Sequence, residues 1–220
     1  MPQWVATVGV LSLVLVLATA CTDAKKTEQG AAKEAGQKIK ATTTIGMISD
    51  IVGKVGGAHV EVTGIMKSGV DPHLYKASQG DMRKLDEADI IFYNGLHLEG
   101  KMQDILEKIS KQKPVIPVSK NIAQNLLRAA SPEMGSEYDP HIWFDVQNWV
   151  SAVETVRDEL SELDAAHAED YKANAEAYLA ELRELDDYTR EQIASIPRLS
   201  AYLSQHMMPL AISETLTRFK

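Results

Sequence analysis

Thr43-Thr44-Ile45-Gly46-Met47-Ile48-Ser49-Asp50-Ile51-Val52-Gly53-Lys54-Val55-Gly56-Gly57-Ala58-His59-Val60-Glu61-Val62-Thr63-Gly64-Ile65-Met66 alternates a β-branched run, a helical run closed by two glycines, and a second β-branched run. The spacing predicts a strand over Thr43–Ile48, a short helix over Ile51–Gly57 and a strand over Val60–Met66. Working outward, Ser78–Ala88 reads as a helix with Met82, Leu85 and Ala88 on one face. Asp89–Tyr93 is a short apolar strand, Lys101–Lys111 is again helical, and Val115–Val118, interrupted by Pro117, is a terminal fourth strand. Strand and helix in repetition imply an α/β lobe: a roughly four-stranded parallel sheet flanked by helices on both faces.

Beyond Asp145 the pattern changes. Val146–Leu163 forms one amphipathic helix and His167–Ile196 a longer one, with Ala173, Ala177, Leu182 and Leu185 as its expected buried stripe. At 1.5 Å per residue some thirty residues reach about 45 Å, so this helix either joins two bodies or lies along one.

The tripeptide Asp-Pro-His occurs twice, at Asp71-Pro72-His73 and Asp139-Pro140-His141. Proline fixes its own φ and biases the residue before it toward extended backbone, so each histidine leaves its turn in a restricted direction. The aspartate can accept the second ring N–H and leave the other nitrogen free for a metal. One such turn is commonplace; two point to a shared site, with His73 and His141 as candidate ligands. His73 falls in the loop after the second strand, and ligands of parallel sheets bind outside the carboxyl ends of strands.

The chain has 220 residues and a formal net charge of −8, which argues against a nucleic-acid surface. Its lone cysteine excludes an intramolecular disulfide. The apolar run Val8–Leu17, followed by Ala18-Thr19-Ala20-Cys21, reads as a lipoprotein export signal, although Met1-Pro2-Gln3-Trp4 lacks the usual basic residue. Residues 1–20 are then the signal peptide and Cys21 the lipidated N-terminus. Residues 21–41, rich in Ala, Gly, Lys, Glu and Gln, are a flexible tether. The α/β lobe spans 42–145, a helical segment 146–197, and a tail 198–220.

Three ordered segments resemble one known family, the TroA-like zinc and manganese solute-binding lipoproteins of bacterial ABC importers. They are Gly69-Val70-Asp71-Pro72-His73-Leu74-Tyr75, Ala88-Asp89-Ile90-Ile91-Phe92-Tyr93-Asn94-Gly95-Leu96-His97-Leu98-Glu99 and Asp139-Pro140-His141-Ile142-Trp143-Phe144-Asp145-Val146. Tyr171, Asn174, Ala175, Tyr178, Leu182, Leu185 and Asp186 of the long helix follow the same pattern. The resemblance implies two α/β lobes joined by one long helix, with zinc or manganese bound between them. Four ligands are implied: a histidine from each Asp-Pro-His loop, a histidine or glutamate just after the helix, and an aspartate in the second lobe. His73 and His141 match the first two. His97 matches a position that is not a ligand, and His59 and His167 carry no motif. The implied partner is an ABC permease, the implied location extracytoplasmic and lipid-anchored to the cell membrane, and the implied state a monomer. Other classes are a zinc metalloenzyme, with Glu99, Asp139 or Asp145 as general base, and a surface adhesin. No H-E-x-x-H spacing supports the enzyme.

The tail does not follow the family. Met207-Met208-Pro209 must be encoded ATG-ATG-CCN, and read one base earlier the same letters give Asp-Ala. Permitted wobble bases turn Ser200 through Thr217 into R-V-S-I-T-A-H-D-A-F-S-Y-F-G-N-A-Y, the segment that the family has here. The expectation is a base lost near Ser200, with Ala201–Lys220 out of frame, His206 no ligand, the second lobe and two of four ligands absent, and a poorly stable, weakly binding product.

Overall fold

The computed structural model describes residues 37–132 and 135–195. The export signal, Cys21, residues 21–36 of the tether and the tail with His206 lie outside them. Four strands, β1 (Ile39–Thr43), β2 (Val60–Gly64), β3 (Ile90–Tyr93) and β4 (Val115–Pro117), form one parallel sheet in the order β2-β1-β3-β4. Between them run α1 (Gly46–Gly56), α2 (Gln79–Glu87) and α3 (Gln103–Ser110); α4 (Val146–Leu163) and α5 (Ala168–Ala194) follow. The α/β lobe with a parallel four-stranded sheet and a long following helix stands as the sequence implies.

The first strand lies upstream of its expected position. β1 begins at Ile39, inside the segment read as tether, and Ile39 and Ala41 are buried. The expected strand Thr43–Ile48 is divided: Thr43 ends β1, Ile45 is extended at the N-cap, and Gly46 opens α1. The reason is periodicity. Ile48, Ile51, Val52 and Val55 are all buried, and that spacing of three, one and three is the apolar stripe of a helix. β-Branched residues at its start mimic a strand because their propensity is weaker than the packing they gain.

Chain direction reverses across the sheet. β1 passes through α1 to β2 on one side, then returns over β1 to β3, so the switch point lies between β1 and β3. Right-handed crossovers put α1 on one face and α2 and α3 on the other. α4 and α5 pack on each other and on α1, extending the core of Ile48, Ile51 and Val52 with Val153, Val156, Leu160 and Tyr171.

The long helix runs along this lobe rather than standing free of it. Its buried residues are Tyr171, Ala175, Leu179 and Leu182. Of the expected stripe only Leu182 is buried; Ala173 and Ala177 face solvent and Leu185 is 51% exposed. Alanine carries little phase information, and the aromatic Tyr171 sets the true face. Three polar contacts tie this half of α5 to α1 and its exit. Asn174 Nδ2 donates to Val55 O at 3.0 Å, Tyr178 Oη donates to Asp50 at 3.0 Å, and His59 meets Asp170 at 2.8 Å. Gly57, at φ +52°, makes room: a Cβ there would sit 2.8 Å from Asn174 Nδ2. No helix among the described residues is long and apolar enough to cross a membrane.

Lys113 closes α2 from a distant part of the chain. Its ammonium donates to Leu85 O, Asp86 O and Ala88 O at 3.2, 2.5 and 2.8 Å, satisfying carbonyls that the helix end leaves open. Replacing Lys113 by Met should destabilise the lobe by about 1–2 kcal/mol, read as a lower midpoint in urea denaturation with unchanged slope.

Candidate metal centre

Both Asp-Pro-His loops reach the carboxyl edge of the sheet, and their histidines meet. His73 Nε2 lies 3.3 Å from His141 Nε2, with ring centroids 5.3 Å apart and planes inclined at 56°. Each aspartate folds its own loop: Asp71 Oδ1 accepts His73 N–H at 2.9 Å and Asp139 Oδ1 accepts His141 N–H at 3.0 Å. Asp139 Oδ1 also accepts the His141 Nδ1–H at 2.6 Å. That bond fixes the tautomer and leaves Nε2 of His141 with a lone pair facing His73. Two nitrogens bound at 2.0–2.1 Å to one tetrahedral zinc stand roughly 3.3 Å apart. The observed separation matches that spacing and is equally that of a hydrogen-bonded nitrogen pair.

Support for the two loops differs. The His73 loop is held at its far end by Asp81, whose carboxylate accepts Tyr75 Oη–H at 2.6 Å, Ser78 Oγ–H at 2.6 Å and Ser78 N–H at 2.9 Å, in a capping box that starts α2. Burial pushes this carboxyl up, but the hydrogen bonds from Ser78 and Tyr75 outweigh it and hold the pKa at about 2. Tyr75 is in turn pushed up to about 12, chiefly by the same hydrogen bond.

Behind the His141 loop, at the switch point, sits Glu99, 3% exposed. One carboxylate oxygen accepts Thr44 Oγ1–H at 2.7 Å and Asn94 N–H at 2.8 Å, and the other accepts Gly95 N–H at 3.4 Å. Burial raises its pKa against the pull of these donors. Gly95 adopts φ +83°, and a Cβ there would come within 2.5 Å of Ser119 Oγ, so only glycine suits this turn. Nothing in residue type alone marks Asn94 and Glu99 as a pair; their role needs the strand order.

The other described histidines lie apart from the pair. His97 bonds Gln103 at 2.9 Å, while His59 and His167 stack at 3.8 Å and bond Asp170 and Asp164. Burial opposes the Asp164 carboxylate, but hydrogen bonds from His167 and Tyr171 hold its pKa below the usual value. Asp145 is occupied as the N-cap of α4, accepting Gln147 N–H at 2.9 Å and Asn148 N–H at 3.2 Å. Among the described residues no group of three or more His, Cys, Asp or Glu is arranged to hold a metal.

The structure is thus a parallel α/β lobe that presents two imidazoles at its switch-point edge, backed by one long helix. The chain belongs to the family of ZnuA, zinc-uptake complex component A, periplasmic, whose model matches residues 42–209 and so runs on into the tail. The manganese-binding lipoprotein MntA of Bacillus subtilis (strain 168) is 42% identical over 195 residues, 89% of this chain and 62% of that protein. The zinc-binding protein TroA of Treponema pallidum (strain Nichols) is 41% identical over 155 residues, 70% of this chain and 49% of that one. The solved structure of the periplasmic zinc-binding protein TroA from Treponema pallidum superposes with a TM-score of 0.69 at 39% identity, covering 74% of this chain and 58% of that chain. This chain thus spans less than two thirds of the length of these relatives.

Because the Asp81 pKa is depressed, its stabilisation is present above the unfolded value near 3.8 and is lost as pH falls toward about 2. Asp81→Asn should cost about 2 kcal/mol at pH 7 and close to nothing at pH 2. Denaturation curves of both forms at several pH values between those limits check the sign.

Proposed function

We propose that this chain is the metal-capturing lobe of the extracytoplasmic solute-binding component of an ABC importer, and that its cargo is a divalent transition metal, zinc or manganese. The membrane permease is the partner to which the ion is delivered. A lipid on Cys21 would hold the protein, as a monomer, at the outer side of the cytoplasmic membrane. The observation that carries this reading is the His73–His141 pair, with its 3.3 Å separation and its tautomer set by Asp139. The names of MntA and TroA support both the cargo class and, for MntA, the lipoprotein anchor.

The chemistry suits a carrier. Each loop contributes one neutral nitrogen donor, the ligand type that zinc favours, and carboxylates added to such a pair would widen the choice toward manganese. An ion held from one edge of a lobe is released by moving whatever closes the shell over it.

The enzyme reading lacks a base. Glu99 is buried on Thr44, Asn94 and Gly95, Asp139 is committed to His141, and Asp145 caps α4. None of the three is available to take a proton from a water placed at the Nε2 pair. Adhesion has no feature of its own among the described residues.

The 220-residue chain should bind zinc through both imidazoles, with an affinity that depends on each. His73→Ala and His141→Ala should each lower that affinity by about tenfold or more. Equilibrium dialysis against Zn2+, with histidine ring resonances followed by NMR, measures both. Zinc binding unchanged in His141→Ala would defeat the proposal.

A further inference from the structure

The two halves of the metal pair are supported unequally. His141 stands at the centre of an inverse γ-turn, with φ −81° and ψ +54°, closed by Ile142 N–H donating to Pro140 O at 2.8 Å. The same Pro140 carbonyl accepts a second hydrogen bond, from Asn94 Nδ2 at 2.9 Å. Asn94 is fully buried, follows the last residue of β3, and gives its other amide proton to Gly95 O at 3.0 Å. Its backbone N–H is held by Glu99, which also holds Thr44 at the end of β1. An unbroken set of bonds therefore runs from the two central strands, through Glu99 and Asn94, to the carbonyl immediately before His141. Ile142, 2% exposed, packs the other side of the turn into the core.

His73 has no such tie. Its loop carries Val70 and Leu74, 38% and 69% exposed, and among the described residues its ring bonds only to His141. The Tyr75–Asp81 bond fixes the loop beyond His73 rather than His73 itself.

We infer that Asn94 is a positioning residue, which through the Pro140 carbonyl fixes His141 as the preset half of the site and leaves His73 as the adjustable half. The inference rests on the metal-capture reading above for its purpose, although its mechanical part holds without metal. An incoming ion meets the Nε2 of His141 already aimed, and the His73 loop then settles onto it. Ordering one loop instead of two lowers the entropy lost on capture. The loose loop also gives the ion a route out.

The test is Asn94→Ala in the full chain, read by amide hydrogen exchange without metal and by zinc affinity with Zn2+ as the sole probe. In the unsubstituted protein the Ile142 amide should exchange at least about tenfold more slowly than the Val70 amide, which closes the His73-side turn on Lys67 O. In the variant, Ile142 should lose that protection while Met66, bonded to Thr44 O, keeps its own. Zinc affinity should fall roughly tenfold, the usual effect of removing an outer-shell partner. Should the alanine variant fail to fold, Asn94→Ser keeps a small polar side chain that cannot span to Pro140, and the same two readouts apply. A merely structural role would lower the melting temperature yet leave the Ile142-to-Met66 protection ratio and the zinc affinity of the folded protein unchanged; that result overturns the inference. If His141→Ala loses zinc while Asn94→Ala retains both affinity and protection, only the positioning role falls. If His141→Ala binds zinc as the parent does, the metal-capture reading itself falls, and exchange at Ile142 still decides the mechanical part.

Discussion

A carboxylate buried between two parallel strands organises this molecule. Glu99 takes hydrogen bonds from the end of β1 and from the turn that follows β3, at the place where the chain changes direction across the sheet. Parallel strands leave unpaired N–H groups where neighbouring crossovers diverge, and such groups cannot stay buried without acceptors. Glu99 supplies those acceptors from within the fold. Its burial is costly, as its raised pKa records, and the cost is bearable because every donor that it meets belongs to the frame of the site. Asn94 then extends this frame by one residue, to the turn that carries the His141 imidazole.

The two Asp-Pro-His loops illustrate how one local motif serves two purposes. In both, the aspartate closes a short turn on the histidine N–H. Only in the second does its oxygen also reach the ring, and only there does the sheet hold the carbonyl between them. Local sequence therefore presents each imidazole, while tertiary contacts decide how firmly. Loops at the edge of a sheet can hold two ligands close together, but a complete shell around an ion needs donors from a second direction.

Much of this was legible from residues alone. The period of α4, the short apolar β3 and the paired histidines each have a local signature, and the strand-helix alternation implies a parallel sheet. β1 was misplaced because Ile39-Lys40-Ala41 is brief and adjoins a polar segment, whereas the threonines after it have stronger β preference than their position warrants. The buried face of α5 was misphased because Ala173 and Ala177 look as apolar as Ala175, and only the depth of Tyr171 breaks the tie. Asn94 and Glu99 were visible as letters in a motif, yet their work consists of bonds to residues 46 and 55 positions away, which no periodicity announces.

The manner in which α5 is seated has a mechanical meaning of its own. Its first part is pinned by Asn174, Tyr178 and the snug passage over Gly57, and Gln147 Nε2 still reaches Asp186 at 3.4 Å, while Leu185 and Tyr188 are exposed. A rod clamped over its first two thirds behaves as a cantilever. Its overhang, some 12 Å at 1.5 Å per residue, turns a tilt of about 5° at the clamp into a sweep of ~1 Å at the tip. The last turns of the helix feel each small adjustment of the clamp enlarged.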